Sequence, residues 1–231
     1  LIPNETNGPG RDKTTPGHRP SRYVEEEQMN LEQIVAELKS PTSRDETIKL
    51  IGQILDVDHY LVEALTALIE KPDEIKDTHG FASVLADLSQ AEFIPPLIQS
   101  ISQDEPGETP WLADYMYALG SILQDEDECW QPEERFVHLL GKWLHSTGGG
   151  EIAWKSAVIL SQLDHPATRS YFVSGAADQS IFHQGRTACI NGIMNHYREE
   201  AASLLQCLAD DPEPVVREEV SRALEWLQSK T

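Results

Sequence analysis

An apolar pair spaced three residues apart recurs along the chain as Ile51/Ile54, Leu85/Leu88, Leu119/Ile122, Leu160/Leu163, Ile190/Ile193 and Leu224/Leu227. Successive first members are separated by 34, 34, 41, 30 and 34 residues. A period of this size marks a supersecondary unit copied in tandem, each copy too small to bury its own apolar face and obliged to stack on the next. The chain is thereby directed to a stack of similar units rather than to one closed core.

The local pattern says what the unit is. From about Asn30 onward, apolar residues fall at three- and four-residue spacing, with Pro, Gly or Asp interrupting them at short intervals. The segments predict helices over 30–40, 44–56, 59–71, 78–90, 92–103, 110–124, 132–146, 151–163, 166–176, 180–194, 198–209 and 213–229. Strand-like alternation is nearly absent. The fold class is therefore all-α, about six helix pairs joined by brief connections. The longest interval holds both the acidic run Asp125 to Glu128 and the turn Thr147-Gly148-Gly149-Gly150, where an expanded connection belongs. Residues 1–28 are rich in Pro and Gly and lack apolar periodicity, so they read as a tail or linker ahead of a folded domain over 29–231.

Charge limits the partners. With 39 Asp+Glu against 18 Lys+Arg, the net charge is -21, which repels phosphate backbones and anionic membrane surfaces. Nucleic acid is excluded as the expected partner, and a basic protein is favoured. No stretch reaches the ~20 apolar residues of a membrane span. Cys129, Cys189 and Cys207 are far apart and odd in number, the pattern of reduced thiols in a cytoplasmic protein.

The last copy runs Asp211-Pro212-Glu213-Pro214-Val215-Val216-Arg217 and on to Ala223-Leu224. An Asp-Pro turn followed by Val-Arg and Ala-Leu on the second helix resembles the signature of HEAT repeats. The copy before it, from Asp178 to Ile193 with Arg186 and Ala188, is similar but looser, and earlier copies keep little beyond the apolar pair. The resemblance implies a right-handed α-solenoid whose second helices line the concave side. It implies no particular activity.

Signatures of catalysis are missing. HEAT-like iron hydroxylases use repeated His-Glu pairs as metal ligands, and none of the eight histidines here precedes a Glu. His138 and His145 lie seven apart, too far for an i, i+4 chelate. Gly148 to Gly150 lack the Lys-Ser or Lys-Thr that would complete a P-loop, and no Gly-x-Ser-x-Gly elbow occurs. HEAT-like DNA glycosylases present a basic concave surface, opposite to the charge here. The expectation is a chain without enzymatic activity, metal or cofactor.

Taking the first member of each apolar pair as zero, positions -6, -5, -2 and +2 lie opposite the apolar stripe at 100° per residue. These columns hold Asp87 in the second copy, Asp114 and Tyr117 in the third, and Trp154, Lys155 and Val158 in the fourth. Gln184 follows in the fifth, and Glu218 and Glu219 in the sixth. Apolar groups in the middle with acids around them resemble a binding hot spot. The alternative is that close stacking buries these side chains between second helices.

The favoured reading is an adaptor or inhibitor cradling a basic protein on this face, in the manner of a bacterial immunity protein against a cationic toxin. A second is a HEAT-like lyase or chaperone subunit handling a tetrapyrrole or similar cofactor. A third is a structural cap in a larger assembly.

Overall fold

The computed structural model describes residue 36 and residues 59–104, 110–125, 130–146 and 150–229. The tail over 1–28, the helix expected over 30–40 apart from residue 36, the helix expected over 44–56, most of the acidic run with Cys129, and Thr147 to Gly149 lie outside the described residues. Among the described residues from 59 on, ten α-helices follow one another: α1 (His59–Ile69), α2 (Thr78–Leu88), α3 (Ile94–Ser102), α4 (Leu112–Asp125), α5 (Glu134–Leu144), α6 (Glu151–Leu160), α7 (Thr168–Ala177), α8 (His183–His196), α9 (Arg198–Leu205) and α10 (Pro214–Ser229). Among the described residues there is no strand, only a single backbone bridge between Trp130 and Leu163.

Local chemistry sets the helix ends. Asp77 caps α2, its carboxylate accepting from the Gly80 amide at 2.9 Å. The helix stops at Ser89, which takes the left-handed conformation (φ 46°) and donates its amide to the Leu85 carbonyl. Pro95 and Pro96 open α3, where a missing amide costs no intrahelical bond.

Packing follows the order of the chain. Second helices α2, α4, α6, α8 and α10 each touch the next, forming one continuous layer, first helices α3, α5 and α7 lie against its back and touch one another less, and α1 packs beside α3. This is an α-solenoid of stacked helix pairs. The core runs unbroken between the layers through Phe81, Phe93, Tyr115, Phe136, Trp143 and Phe172, all fully buried. Leu85, Leu119, Ile122, Leu160, Leu163, Ile190 and Ile193 point into it, while the last pair, Leu224 and Leu227, is only half-buried. Among the described residues no further copy packs on α10, and its outer side is open to solvent.

Polar side chains repeat the same nearest-neighbour logic. His196 lies 2.7 Å from the Ser161 carbonyl, Thr168 2.9 Å from the Tyr197 hydroxyl, and His145 3.1 Å from Asp178, each joining a copy to the next. The most buried link is Arg186 on α8 with Asp211 ahead of α10. One guanidinium nitrogen donates to Asp211 Oδ1 at 2.9 Å, a second reaches Oδ2, and Nε donates to the Ala176 carbonyl at 2.9 Å. Arg186 holds the Asp211 carboxyl below its ordinary range, helped by the Glu213 amide and opposed by burial.

Candidate functional site

The face of the second-helix layer turned away from the first helices carries the exposed aromatics of the stack's middle. Tyr117 on α4 is 40% exposed and Trp154 on α6 is 39% exposed, values unusual for large rings flanked by the buried Tyr115, Met116, Ala153 and Ala157. Asp87, Gln184 and Glu218 are exposed on neighbouring second helices. All five belong to the columns expected to face solvent.

The remaining columns behave differently, and the reason is the offset between successive second helices. Asp114 turns toward α2, accepting from the Thr78 hydroxyl at 2.7 Å and lying 3.1 Å from His79 Nδ1. Lys155, one copy later at the same position, turns toward α4 and is 7% exposed. Its ammonium donates to the Ala113 carbonyl at 2.7 Å, pairs with Glu151 at 2.7 Å and sits 5.7 Å from the Tyr117 ring centroid. Gly185, at that position again, packs on the Trp154 backbone, where an added Cβ would lie 3.6 Å from the Trp154 Cα. This column thus faces the preceding second helix rather than solvent.

Val158 is half-buried for a related cause: its Cγ1 fills the space over Gly120 of α4, 3.5 Å from where a Cβ would stand. Ala188 is buried, and Gly192 faces the Phe172 ring of α7. Glu219 is mostly covered and accepts from Arg222 at 2.8 Å. Close stacking therefore buries Lys155, half-covers Val158 and leaves Trp154 and Tyr117 on the surface.

Lys155 bears on the electrostatics. A cation in the centre of this face would oppose a basic ligand, but here its three donors are taken by a carbonyl, a carboxylate and a ring face from the chain itself. The exposed charge beside it is that of Glu151, while Asp87 and Glu218 are exposed further along the layer on α2 and α10. Glu151 had no column position, since it precedes the aligned window, and its place at the first turn of α6 beside Trp154 emerges from the structure.

Two further aromatics are exposed, Phe182, which has no column position, and Trp226, which stands at position +2 of the sixth copy. Phe182, 54% exposed, precedes α8 and lies tilted by 47° against the His183 ring at 4.1 Å between centroids. Trp226, near the end of α10, lies under the Arg198 guanidinium at 4.5 Å. Among the described residues, no group of three or more His, Cys, Asp or Glu could hold a metal ion, and no helix is long and apolar enough to cross a membrane. Cys189 is buried, its thiol pushed up to about 12 by loss of solvent.

No protein-family model matches the chain, and no curated protein matches it significantly. Among solved structures it is similar to human deoxyhypusine hydroxylase in complex with glycerol, at 17% identity over 90% of this chain and 99% of that one, with a TM-score of 0.32. The expectation of a chain without enzymatic activity does not stand, because this similar structure is that of an enzyme. At so low a TM-score the likeness brings no activity, substrate or cofactor to this chain.

Proposed function

We propose that the exposed face of the second helices docks a partner protein through a basic surface, with Trp154 and Tyr117 as the apolar anchors. The observation that carries this reading is the pair of partly exposed rings on adjacent second helices, beside a lysine already consumed by the chain's own groups. Asp87, Asp114, Glu151, Gln184, Glu218 and Glu219 supply the polar rim, and Lys155 and Val158 support the rings from beneath. Half-exposed aromatic side chains lose little rotamer freedom on docking and bury a large area, which is why they dominate binding energy. Surrounding acids raise the encounter rate with a cationic partner more than they raise affinity. Inhibition of a cationic toxin is one use such a surface would serve.

The test is affinity capture followed by calorimetry on the purified partner, with wild type, Trp154→Ala and Tyr117→Ala compared. Each substitution should weaken binding by roughly 10-fold or more, and raising salt should slow association. An unchanged affinity in both variants refutes the assignment of the site.

A further inference from the structure

A second site lies at the far end of the second-helix layer, and its charge is of the opposite sign. A depression of about 230 Å³ opens between α8 and α10 at the start of α9, lined by Asn191, Asn195, Arg198, Glu219, Arg222 and Trp226 among others, two guanidinium groups against one carboxylate that Arg222 already pairs. We propose that it binds a carboxylate carried on an apolar stem.

The first reason is Arg198. Arg135, Arg169, Arg186, Arg217 and Arg222 each donate to a carboxylate or carbonyl oxygen of the chain. Arg198 has no such acceptor among the described residues, although Glu199 and Glu200 follow it directly. Glu200 is instead engaged by Arg169 at 2.5 Å. The Arg198 guanidinium rests over the Trp226 ring, 4.5 Å from its centroid, which holds the cation in place without using its N–H donors. A planar fork with free donors, pre-positioned by a ring, is the arrangement that takes a carboxylate through two parallel hydrogen bonds.

The walls supply the second reason. Asn191 and Asn195 stand one helical turn apart on α8, both exposed, with no hydrogen bond from either amide to a described residue. Their NH2 groups add donors at the same mouth. Met194 and the Trp226 ring offer apolar contact for the stem, and Arg222 brings a second guanidinium whose partner Glu219 leaves it 71% exposed. The net charge of -21 opposes an anion at long range, but screening over ~8 Å at physiological salt leaves the local groups in control.

The site borders the proposed docking face at Glu219 but does not depend on that reading, and the test keeps the two apart by using small molecules. The isotopically labelled full chain is titrated with N-acetyl-leucine, N-acetyl-aspartate N-methylamide and N-acetyl-leucinamide while the Trp226 indole and the Asn191 and Asn195 side-chain amide signals are followed. Millimolar binding of either acid, with the amide inert, supports the site. Preference for N-acetyl-leucine then marks a chain terminus as the natural source, and preference for the aspartate derivative marks an acidic side chain. Arg198→Lys, which keeps the charge and a cation–π contact with Trp226 but loses the planar fork, should weaken acid binding by roughly 10-fold, with an unchanged melting temperature as the folding control. Equal response to acid and amide, no response to either acid, or full binding by Arg198→Lys overturns the proposal.

Discussion

Asp211 illustrates how much one side chain carries in this fold. It is buried, receives two guanidinium hydrogen bonds from Arg186 in the preceding copy, accepts the Glu213 amide at 3.0 Å, and offers its own carbonyl to Arg217 at 2.6 Å. Removing one partner of such a pair strands the other charge in a low-dielectric interior, so Asp211→Ala should lower stability by about 3–5 kcal/mol in denaturant unfolding. The same pair makes stability depend on pH. The folded Asp211 carboxyl titrates below its ordinary value, chiefly because of Arg186. Its contribution is therefore fully present above the unfolded value of ~3.9 and is lost as pH falls through the lower folded one. Urea midpoints measured across the acid range should fall less steeply in Asp211→Asn than in wild type. The decline should not vanish, because Asp178, lowered by Ser180 and His145, adds to it.

At the scale of the element, helix-to-helix distance is set by the absence of side chains at a few places. Gly192 on α8 meets the ring of Phe172 on α7, where an added Cβ would lie 2.6 Å from the ring. Phe172 is fully buried, lies near-parallel to His196 at 6.2 Å and has no open space to retreat into. Gly192→Ala should thus destabilise by about 1–3 kcal/mol despite the better helix propensity of alanine, read as a lowered unfolding midpoint. Gly120 is different. A Cβ there stands at ordinary contact distance from Val158 and Ile159, so its substitution by Ala should be tolerated far better in the same measurement. Both glycines sit near the apolar pair, and only the packed structure separates them. The pair itself was plain in the residues, as were the ten described helices to within a few positions at each end. The column that turns toward the preceding helix was not, because a helical-wheel angle is defined about one axis and says nothing of where the next axis lies.

Across the whole molecule, each copy is held by its neighbours alone, and the two sides of a copy are not equally covered. Helices α4 and α8 lie between two second helices and bury most of their apolar residues, whereas on α10 only Val216, Val220 and Ala223 are buried. Stability in such a stack is the sum of unit and interface contributions, so it should decrease toward the end with one neighbour. Amide hydrogen exchange should be slowest in α4 and α8 and faster by at least about 10-fold in α10; equal protection along the stack would mean that it unfolds as a single unit. The amino acids alone determined the all-helical class, the period and the acidic character, because helical periodicity and charge are local properties that add along the chain. Tertiary structure decided which of Tyr117, Trp154, Lys155 and Val158 reach the surface, and that Arg186 meets Asp211 while Arg198 is left on Trp226. Those outcomes depend on the offset and spacing between adjacent helices, quantities that arise from side chains meeting across copies and have no counterpart in a single segment of sequence.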